Sequence, residues 1–258
     1  MMRLRVDNVT KEFGGVRAVS ELSFTIEPGR VHSIIGPNGA GKTTLFNIIT
    51  GVYTPTRGRI WLGDDDITAL PPAARAARGI ARTFQNLQIF FNMTALENVM
   101  VGRHLHAPRR IVPSMFHTPG ITRANREARE RAAELMREVG LARFIGADSD
   151  TMPYGALKRL EIARALATEP KILLLDEPAA GLNPKETLEI DELIQKIARS
   201  GITVVLVEHN MKLVMGVSDH ILVLDYGRRL AEGTAAEVRN NPDVIRAYLG
   251  VGAVAGAA

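Results

Sequence analysis

The sequence predicts an α/β fold in which an all-helical segment is inserted between two parts of a parallel sheet. The apolar runs KILLL at 171–175 and TVVLV at 203–207 lack alternation, which is typical of parallel strands covered on both faces. Between residues 93 and 168 the pattern becomes helical instead. The runs at 4–6 and 22–26 alternate more, and this favours an antiparallel sheet at the edge of the core.

The individual elements follow from the same patterns, taken in order along the chain. Strand-like runs lie at residues 4–6, 22–26, 31–35, 59–62, 171–175, 203–207 and 220–224. We expect a helix over 43–49, a charged amphipathic helix over 123–139 and a third helix over 154–168. In that third helix one face carries Leu157, Leu160, Ala163 and Leu166. The segment 104–121 contains three prolines and is expected to be a loop.

These patterns predict one domain with three parts. The core is expected at residues 1–85 and 160–235, the helical subdomain at 86–159 and a helical tail at 236–258. The last eight residues, VGAVAGAA, are low in complexity and are expected to fray. A chain of 258 residues is long enough to bury one core with an inserted subdomain.

Composition narrows the class of protein. No stretch approaches the ~20 apolar residues of a membrane span, and the N-terminus lacks the apolar region of a secretory signal. The absence of cysteine excludes disulfides, thiolate metal sites and a cysteine nucleophile. We therefore expect a soluble, intracellular protein. The net charge of +4 arises from 32 basic and 28 acidic residues. The sequence contains no basic run with interleaved aromatic residues, the pattern that would indicate nucleic-acid binding.

Residues 36–44 read GPNGAGKTT and lie between the apolar runs VHSII and LFNIIT. This is the pattern G-x-x-x-x-G-K-[ST], with a predicted strand in front and a predicted helix behind. Its glycines let the backbone wrap a phosphate with N–H groups turned inward, while the helix dipole points at the anion. Lys42 can reach the outer phosphates, and the Thr43 hydroxyl can bind Mg²⁺. The predicted nucleoside triphosphate site consists of Gly36, Pro37, Asn38, Gly39, Ala40, Gly41, Lys42, Thr43 and Thr44.

A second candidate group follows the run KILLL, where Asp176 and Glu177 stand at the end of a predicted buried strand. A carboxylate there can hold the Mg²⁺ that Thr43 also contacts. The next carboxylate can orient or deprotonate a water that attacks the γ-phosphate. The alternative is an acid-rich helix N-terminus, which the presence of the phosphate loop disfavours.

The chain resembles the ABC ATPases in five motifs and in the order in which they occur. They are the phosphate loop, Gln85 in RTFQN, Tyr154-Gly155 before KRLEIARAL, Asp176-Glu177 and His209. Three further segments resemble, more narrowly, the ATP-binding subunits of branched-chain amino acid importers. They are EPAAGLNPKET at 177–187, EHNMKLVMGVSD at 208–219 and NNPDVIRAYLG at 240–250. The resemblance covers nearly the whole chain, from about Leu4 to Gly250.

The resemblance implies a RecA-like P-loop core and a role for several further residues. Phe13 would stack on adenine, with a core aromatic of the N-terminal sheet as the alternative. Gln85 would contact Mg²⁺ or the water, and His209 would donate a hydrogen bond to the γ-phosphate as charge builds. The implied catalytic residues are Glu177, His209, Gln85 and Lys42. The implied Mg²⁺ ligands are Thr43, Gln85 and Asp176.

One motif departs from the family pattern. Where ABC ATPases usually carry LSGGQ, this chain has Met152, Pro153, Tyr154, Gly155 and Ala156. In the family this segment grips the γ-phosphate bound to the opposite subunit, so Pro153, Tyr154 and Gly155 are implied nucleotide contacts. Pro153 has neither a hydroxyl nor an N–H, and two donors are therefore lost. Proline suits the first position of a helix, and the helix dipole and the Gly155 amide remain.

The family implies an ATP-hydrolysing motor subunit on the cytoplasmic face of the plasma membrane. It would pair with a second ATPase subunit, as a homodimer or a heterodimer, and with two transmembrane permease subunits. Through these it would act with an external solute-binding protein, and no nucleic acid is expected. The permeases would dock near Gln85 and the segment 86–100, where Phe90, Phe91 and Met93 form an apolar patch. The alternative for that patch is the core of the helical subdomain.

Three other functions compete with the importer. An envelope-lipid export ATPase shares a similar C-terminal ending, but the segment AAGLNPKET favours the importer. ABC proteins that act on nucleic acid typically carry tandem ATPase domains or long coiled-coil insertions, and neither is present. A non-hydrolysing nucleotide sensor fits the altered signature but not the intact Glu177 and His209. Leucine, isoleucine and valine follow from resemblance alone, while urea, amides and other amino acids remain open.

Restoring a hydroxyl with Pro153→Ser is expected to raise the ATP hydrolysis rate of the homodimer. A charge-assisted hydrogen bond contributes about 1.5–3 kcal/mol, so its loss slows hydrolysis without abolishing ATP-driven dimerisation. The measurement is the steady-state ATPase rate of the homodimer before and after the substitution. Unchanged rates would contradict the hypothesis that this signature is the weaker of the two in an asymmetric pair of ATPase subunits.

Overall fold

The computed structural model describes residues 2–106 and 119–249, and two β-sheets form its centre. Over these residues the strands are β1 (Leu4–Phe13), β2 (Val16–Ile26), β3 (Val31–Ile35), β4 (Arg57–Leu62), β5 (Asp65–Asp66), β6 (Ile80–Arg82), β7 (Ile172–Asp176), β8 (Thr203–Val207), β9 (His220–Asp225) and β10 (Arg228–Gly233). The α-helices are α1 (Lys42–Ile49), α2 (Pro72–Ala76), α3 (Ala95–Gly102), α4 (Pro119–Glu138), α5 (Tyr154–Leu166), α6 (Pro184–Arg199), α7 (Met211–Val217), α8 (Ala235–Arg239) and α9 (Pro242–Leu249).

The larger sheet has the strand order β10-β9-β3-β8-β7-β6. Its strands run parallel except β10, which pairs antiparallel with β9 at one edge. Every residue of β3, β7 and β8 is buried, as their continuous apolar runs predict. Because β3, β7 and β8 run parallel, their carboxyl ends meet at one edge of the sheet, where ligand sites of open α/β sheets form.

The smaller sheet is antiparallel, with the order β2-β1-β4-β5. Leu4 of β1 lies opposite Ile26 of β2 on one side and Leu62 of β4 on the other. Its apolar face joins α1 and one face of the parallel sheet in a single buried cluster that includes Phe46 and Leu174. The predicted α/β class with an antiparallel edge sheet is confirmed, and the run at 59–62 also belongs to this sheet.

The inserted helical part consists of α3, α4 and α5, which share a buried cluster with the other face of the parallel sheet. The capping box of Thr94 and Glu97 begins α3. The expectation of one apolar face on α5 is too narrow, because most of its residues are buried. It lies between α3, α4 and the end of β6, so neighbours cover it on several sides.

Several boundaries differ from the prediction. Helix α4 begins at Pro119, four residues before the predicted start, and a short 3₁₀ helix occupies 103–106. The rest of the predicted loop at 104–121 lies outside the described residues. The proposed limit between subdomain and core, after residue 159, falls inside α5, and the domain limits stay a prediction.

Helices α8 and α9 pack on the β9 and β10 side of the sheet, where Val238 and Val244 join a cluster with Ile35 of β3. The predicted fraying of VGAVAGAA falls on residues outside the described range. Within the described ranges, no helix has both the length and the apolar character that crossing a bilayer requires.

His32 is a buried titratable group in the middle of this sheet. Its Nε2 accepts a hydrogen bond from the Glu27 N–H at 3.0 Å, and its ring meets His220 edge-on at 5.7 Å between centroids. Burial lowers the pKa of His32 to about 4, although the Glu27 carbonyl acts in the opposite direction. The folded state therefore holds His32 neutral.

The free energy of unfolding is expected to fall by up to about 3 kcal/mol as the pH decreases from about 6.5 to about 4. In this window the unfolded chain binds a proton at His32 that the folded chain does not bind. Urea unfolding at several pH values measures the slope, and His32→Gln should flatten it. The control is His104→Gln at an exposed position, which should keep the slope. An equally steep slope in both variants would contradict this account.

Candidate nucleotide-binding site

The predicted phosphate loop connects the end of β3 to the start of α1, and two of its glycines have no room for a side chain. A Cβ on Gly36 would lie 2.3 Å from the Leu224 carbonyl oxygen, and one on Gly41 would lie 2.4 Å from the Ala18 carbonyl oxygen. Gly41, the residue before α1, has a φ of 97° in the left-handed region. The loop can therefore approach β2 and β9 this closely only with glycine.

Lys42 folds back over this loop. Its Nζ donates hydrogen bonds to the carbonyl oxygens of Gly36 at 2.6 Å and of Pro37 at 3.0 Å. Burial lowers the pKa of Lys42, while the charges of Glu177 and Asp176 oppose that shift. The ammonium is thus held beside the loop, in the wall of a cleft.

The loop forms one wall of a cleft of about 510 Å³. The cleft is lined by Ala18, Asn38, Gly39, Ala40, Gly41, Lys42, Thr43, Thr44, Gln85, Glu177 and His209. Most of the predicted site residues are therefore brought together, although they come from four separate parts of the chain. The N-terminus of α1 and the loop N–H groups give this wall the chemistry of an anion site.

Glu177 is the centre of a hydrogen-bonded group on the cleft. Its Oε1 lies 2.8 Å from His209 Nε2, and its Oε2 accepts a hydrogen bond from Gln85 Nε2 at 3.1 Å. Because a carboxylate can only accept, His209 must carry its proton on Nε2. The φ of Glu177 is 50°, a left-handed conformation that costs roughly 1–3 kcal/mol and clusters at functional sites.

Asp176 lies just behind this group and does not line the cleft. Its Oδ2 accepts a hydrogen bond from Arg82 Nη2 at 2.7 Å, with the two side chains 4% and 7% exposed. Arg82 also donates to Asn47 of α1, and its guanidinium lies 5.5 Å and 5.0 Å from the ring centres of Phe46 and Phe84. Of the predicted Mg²⁺ ligands, Thr43 and Gln85 line the cleft, whereas Asp176 is engaged by Arg82.

Phe13 lies at the end of β1 and is not among the residues that line the cleft. Its ring is exposed, meets Tyr53 edge-on at 5.2 Å and carries Lys11 Nζ 5.0 Å from its centre. The core-aromatic alternative for Phe13 is therefore wrong, and its role toward adenine stays a prediction.

The predicted signature residues also lie away from the cleft. Pro153 is the residue before α5, rather than its first helical residue, and it makes no side-chain cap. Tyr154 begins the helix and packs over the turn after Glu177, since a Cβ on Gly181 would lie 3.1 Å from its ring. A Cβ on Gly155 would lie 2.4 Å from the Glu186 carboxylate. This arrangement leaves the phosphate loop without a signature contact in the same chain.

Three charged residues near the site were not predicted from the sequence. Arg82 ends β6, Glu208 follows β8 and Lys158 lies in the second turn of α5. The signal for Glu208 is the one that identified Asp176, a charged residue at the end of a buried strand, whereas the short β6 has no apolar run that would mark Arg82. Lys158 had no such signal, because its helix position lies off the predicted apolar face.

Comparison with known proteins identifies the family. A family model described as ABC transporter matches residues 19–180, more than half of the chain. The chain belongs to the ABC transporter ATPases. A second family model, described as branched-chain amino acid ATP-binding cassette transporter, matches residues 228–254 of this ABC ATPase. The resemblance drawn from the sequence motifs is confirmed.

Individual relatives align with this ABC ATPase over almost their whole length. The high-affinity branched-chain amino acid transport ATP-binding protein BraF of Pseudomonas aeruginosa is 50% identical over 96% of this chain and 97% of its own. The corresponding LivG protein of Escherichia coli is 47% identical over the same shares. The solved ADP conformation of the ATP-binding cassette MJ1267 has a TM-score of 0.84 at 34% identity, covering 97% of this chain and 99% of its own.

Breaking the buried pair with Arg82→Met is expected to lower the free energy of unfolding by about 3–5 kcal/mol. Asp176 would be left buried without its partner, which is costly for a charged group. Urea unfolding provides the measurement. The control is Arg59→Met, which removes an exposed pair with Asp66 and should cost less than about 1 kcal/mol. Similar losses in both variants would contradict a structural role for the Arg82–Asp176 pair.

Proposed function

We propose that this ABC ATPase is the motor subunit of a membrane importer for branched-chain amino acids. The observation that carries the proposal is the cleft, where the phosphate loop faces a hydrogen-bonded group of Gln85, Glu177 and His209. The choice of solute is supported by BraF and LivG, whose names specify branched-chain amino acid transport. Neither relative supports the lipid-export or nucleic-acid alternatives.

In this proposal the loop residues 36–44 bind the phosphates of ATP, with Lys42 on the outer ones. Mg²⁺ would neutralise charge on the phosphates, and its oxygen ligands would be Thr43, Gln85 and Asp176. Their hydroxyl, amide and carboxylate oxygens are the donors that this ion prefers. Arg82 engages Oδ2 of Asp176, so Oδ1 would be the oxygen that reaches the ion.

Glu177 orients or deprotonates the attacking water, and His209 donates a hydrogen bond to the γ-phosphate as charge develops. The 2.8 Å contact between these two side chains places the imidazole beside the carboxylate at the cleft. In this contact the Nε2–H of His209 is donated to Glu177, so donation to the γ-phosphate requires the imidazole to leave that contact when ATP binds. Gln85 holds the other oxygen of the same carboxylate. Phe13 stacks on the adenine from the end of β1.

A second ATPase subunit completes the site. Pro153, Tyr154 and Gly155 lie outside the cleft of their own chain, and we place them against the ATP bound by the partner subunit. A dimeric bacterial ABC transporter cassette, MJ0796, supports this assembly, with a TM-score of 0.76, 29% identity and coverage of 90% of this chain and 98% of its own. ATP binding would close the dimer, and hydrolysis would reopen it.

Each of the two transmembrane permease subunits would dock on one ATPase subunit, at an apolar groove of about 480 Å³ between the core and the helical part. Phe90, which lines the groove, and its neighbour Phe91 are 44% and 52% exposed, which favours a partner surface over the subdomain core. Met93 is half-buried and contributes less than predicted. This docking would place the ATPase peripherally on the cytoplasmic face of the plasma membrane, and the external solute-binding protein would act only through the permeases.

Uptake of labelled leucine in a strain that lacks the chain tests the proposal, together with the variant Glu177→Gln. The unaltered chain should restore uptake and co-purify with the permeases. Glu177→Gln should lower ATP hydrolysis by roughly 10²–10⁴-fold, the contribution of a general base, and should trap an ATP-bound dimer. The matched control is Glu192→Gln on the exposed side of α6, which should behave like the unaltered chain.

Each failure has a distinct meaning. If the dimer of Glu177→Gln still dissociates with ATP bound, the assigned mechanism is wrong. If hydrolysis is normal but leucine uptake is not restored, the assignment of branched-chain amino acids as the solute is wrong. If Phe90→Ser leaves co-purification of the permeases intact, the docking groove is wrong.

A further inference from the structure

The turn that follows Glu177, residues 177–181, is contacted by two buried charged side chains from different elements. The first is Lys158 of α5, which is 2% exposed. Its Nζ donates to the carbonyl oxygen of Gln85 at 3.3 Å and to that of Glu177 at 3.4 Å. One ammonium therefore ties the backbones of two residues whose side chains meet on the cleft.

The second side chain is Glu208, the residue after β8, which is 4% exposed. Its Oε1 accepts the N–H of Ala179 in the turn at 2.9 Å. Its Oε2 accepts the N–H groups of His209 at 3.0 Å and Asn210 at 3.3 Å. One carboxylate therefore ties the turn to the backbone that carries the imidazole.

Burying a charged side chain to make these contacts costs desolvation free energy. Within the described part of the chain, neither Lys158 nor Glu208 forms a salt bridge, and the hydrogen bonds of both side chains are to backbone groups. Neutral side chains could make some of the same hydrogen bonds at a lower desolvation cost. Charge-assisted bonds are shorter and stronger than neutral ones, and they hold a backbone more firmly. The 2.9 Å and 3.0 Å contacts of Glu208 are close to this range, whereas the two Lys158 contacts are longer.

The two clamps also connect to the signature segment. The ring of Tyr154 packs over Gly181 at the end of the turn, and Lys158 Nζ lies 5.8 Å from the centre of that ring. Helix α5 therefore contacts the turn at two points through its first two helical turns. A shift of this helix would be passed to Glu177 through the ammonium.

We propose that Lys158 and Glu208 are positioning residues that clamp the 177–181 turn and set where Glu177 and His209 stand over the cleft. Lys158 fixes Glu177 relative to Gln85, and Glu208 fixes the turn relative to His209. Neither residue lines the cleft, so we assign neither of them a contact with the nucleotide. The inference rests on the proposed roles of Glu177 and His209 in hydrolysis.

The test compares Lys158→Met, Lys158→Gln and Glu208→Gln with the unaltered chain. Misplacing a reacting group by about 1 Å costs on the order of 100-fold, so kcat for ATP hydrolysis should fall roughly 10- to 100-fold in Lys158→Met and Glu208→Gln. The KM for ATP and the affinity for a fluorescent ATP analogue should stay within about twofold, because the phosphate loop is untouched. Lys158→Gln keeps an N–H donor and should retain more activity than Lys158→Met.

Two controls alter the hydrogen bond of a charged side chain to the backbone at exposed positions away from the cleft. Lys196→Met removes a lysine that donates to the Glu138 carbonyl oxygen at 2.8 Å, and Asp219→Asn alters a carboxylate that accepts the Val31 N–H at 2.8 Å. Both contacts lie away from the cleft, so both controls should keep kcat. Rates are expressed per molecule that binds the ATP analogue, so a variant that folds poorly still gives a value.

An unchanged kcat in Lys158→Met and Glu208→Gln would overturn the proposal, as would equal loss in the two controls. A rise in KM matched by weaker analogue binding would also overturn it, because it would place these residues in nucleotide binding. Failure of the proposed function is distinguishable, because Glu177→Gln would then keep full hydrolysis. If only the positioning inference is wrong, Glu177→Gln remains inactive while the Lys158 and Glu208 variants stay active.

Discussion

The candidate site depends on one constraint, the parallel order of β3, β6, β7 and β8 in the central sheet. Parallel strands end at the same edge, so residues that are far apart in sequence emerge side by side there. The loop at Gly36, the amide of Gln85, the carboxylate of Glu177 and the imidazole of His209 each follow one of these strands. Antiparallel pairing of any one of them would move its residue to the opposite edge and dismantle the cleft.

Behind the cleft, buried charge determines the placement of these groups. Arg82 joins Asp176 to α1, Lys158 joins the backbones of Gln85 and Glu177, and Glu208 joins the following turn to the strand end at β8. Each charge is expensive to bury, and each is satisfied by geometry that only the folded core provides. The catalytic group is therefore held from behind by residues that do not face the nucleotide.

The comparison between sequence and structure shows where pattern reasoning succeeds. The runs at 31–35, 171–175 and 203–207 predict buried strands because full burial requires continuous apolar residues, and all three are strands. The three-residue β6 and the antiparallel β10 carry no such pattern and were missed. Burial of α5 on most sides was also missed, because the periodicity of one helix does not reveal how many neighbours will cover it.

Sequence by itself determined the phosphate loop, since nine consecutive residues with strand and helix around them carry the whole chemical requirement. It also determined the family, because the motifs occur in a recognisable order. Only the tertiary structure decided that Pro153 stands outside its own cleft, that Arg82 engages Asp176, and that Lys158 and Glu208 are buried. The physical reason is that burial and pairing depend on long-range contacts, and a local pattern contains no information about which distant segment will supply them.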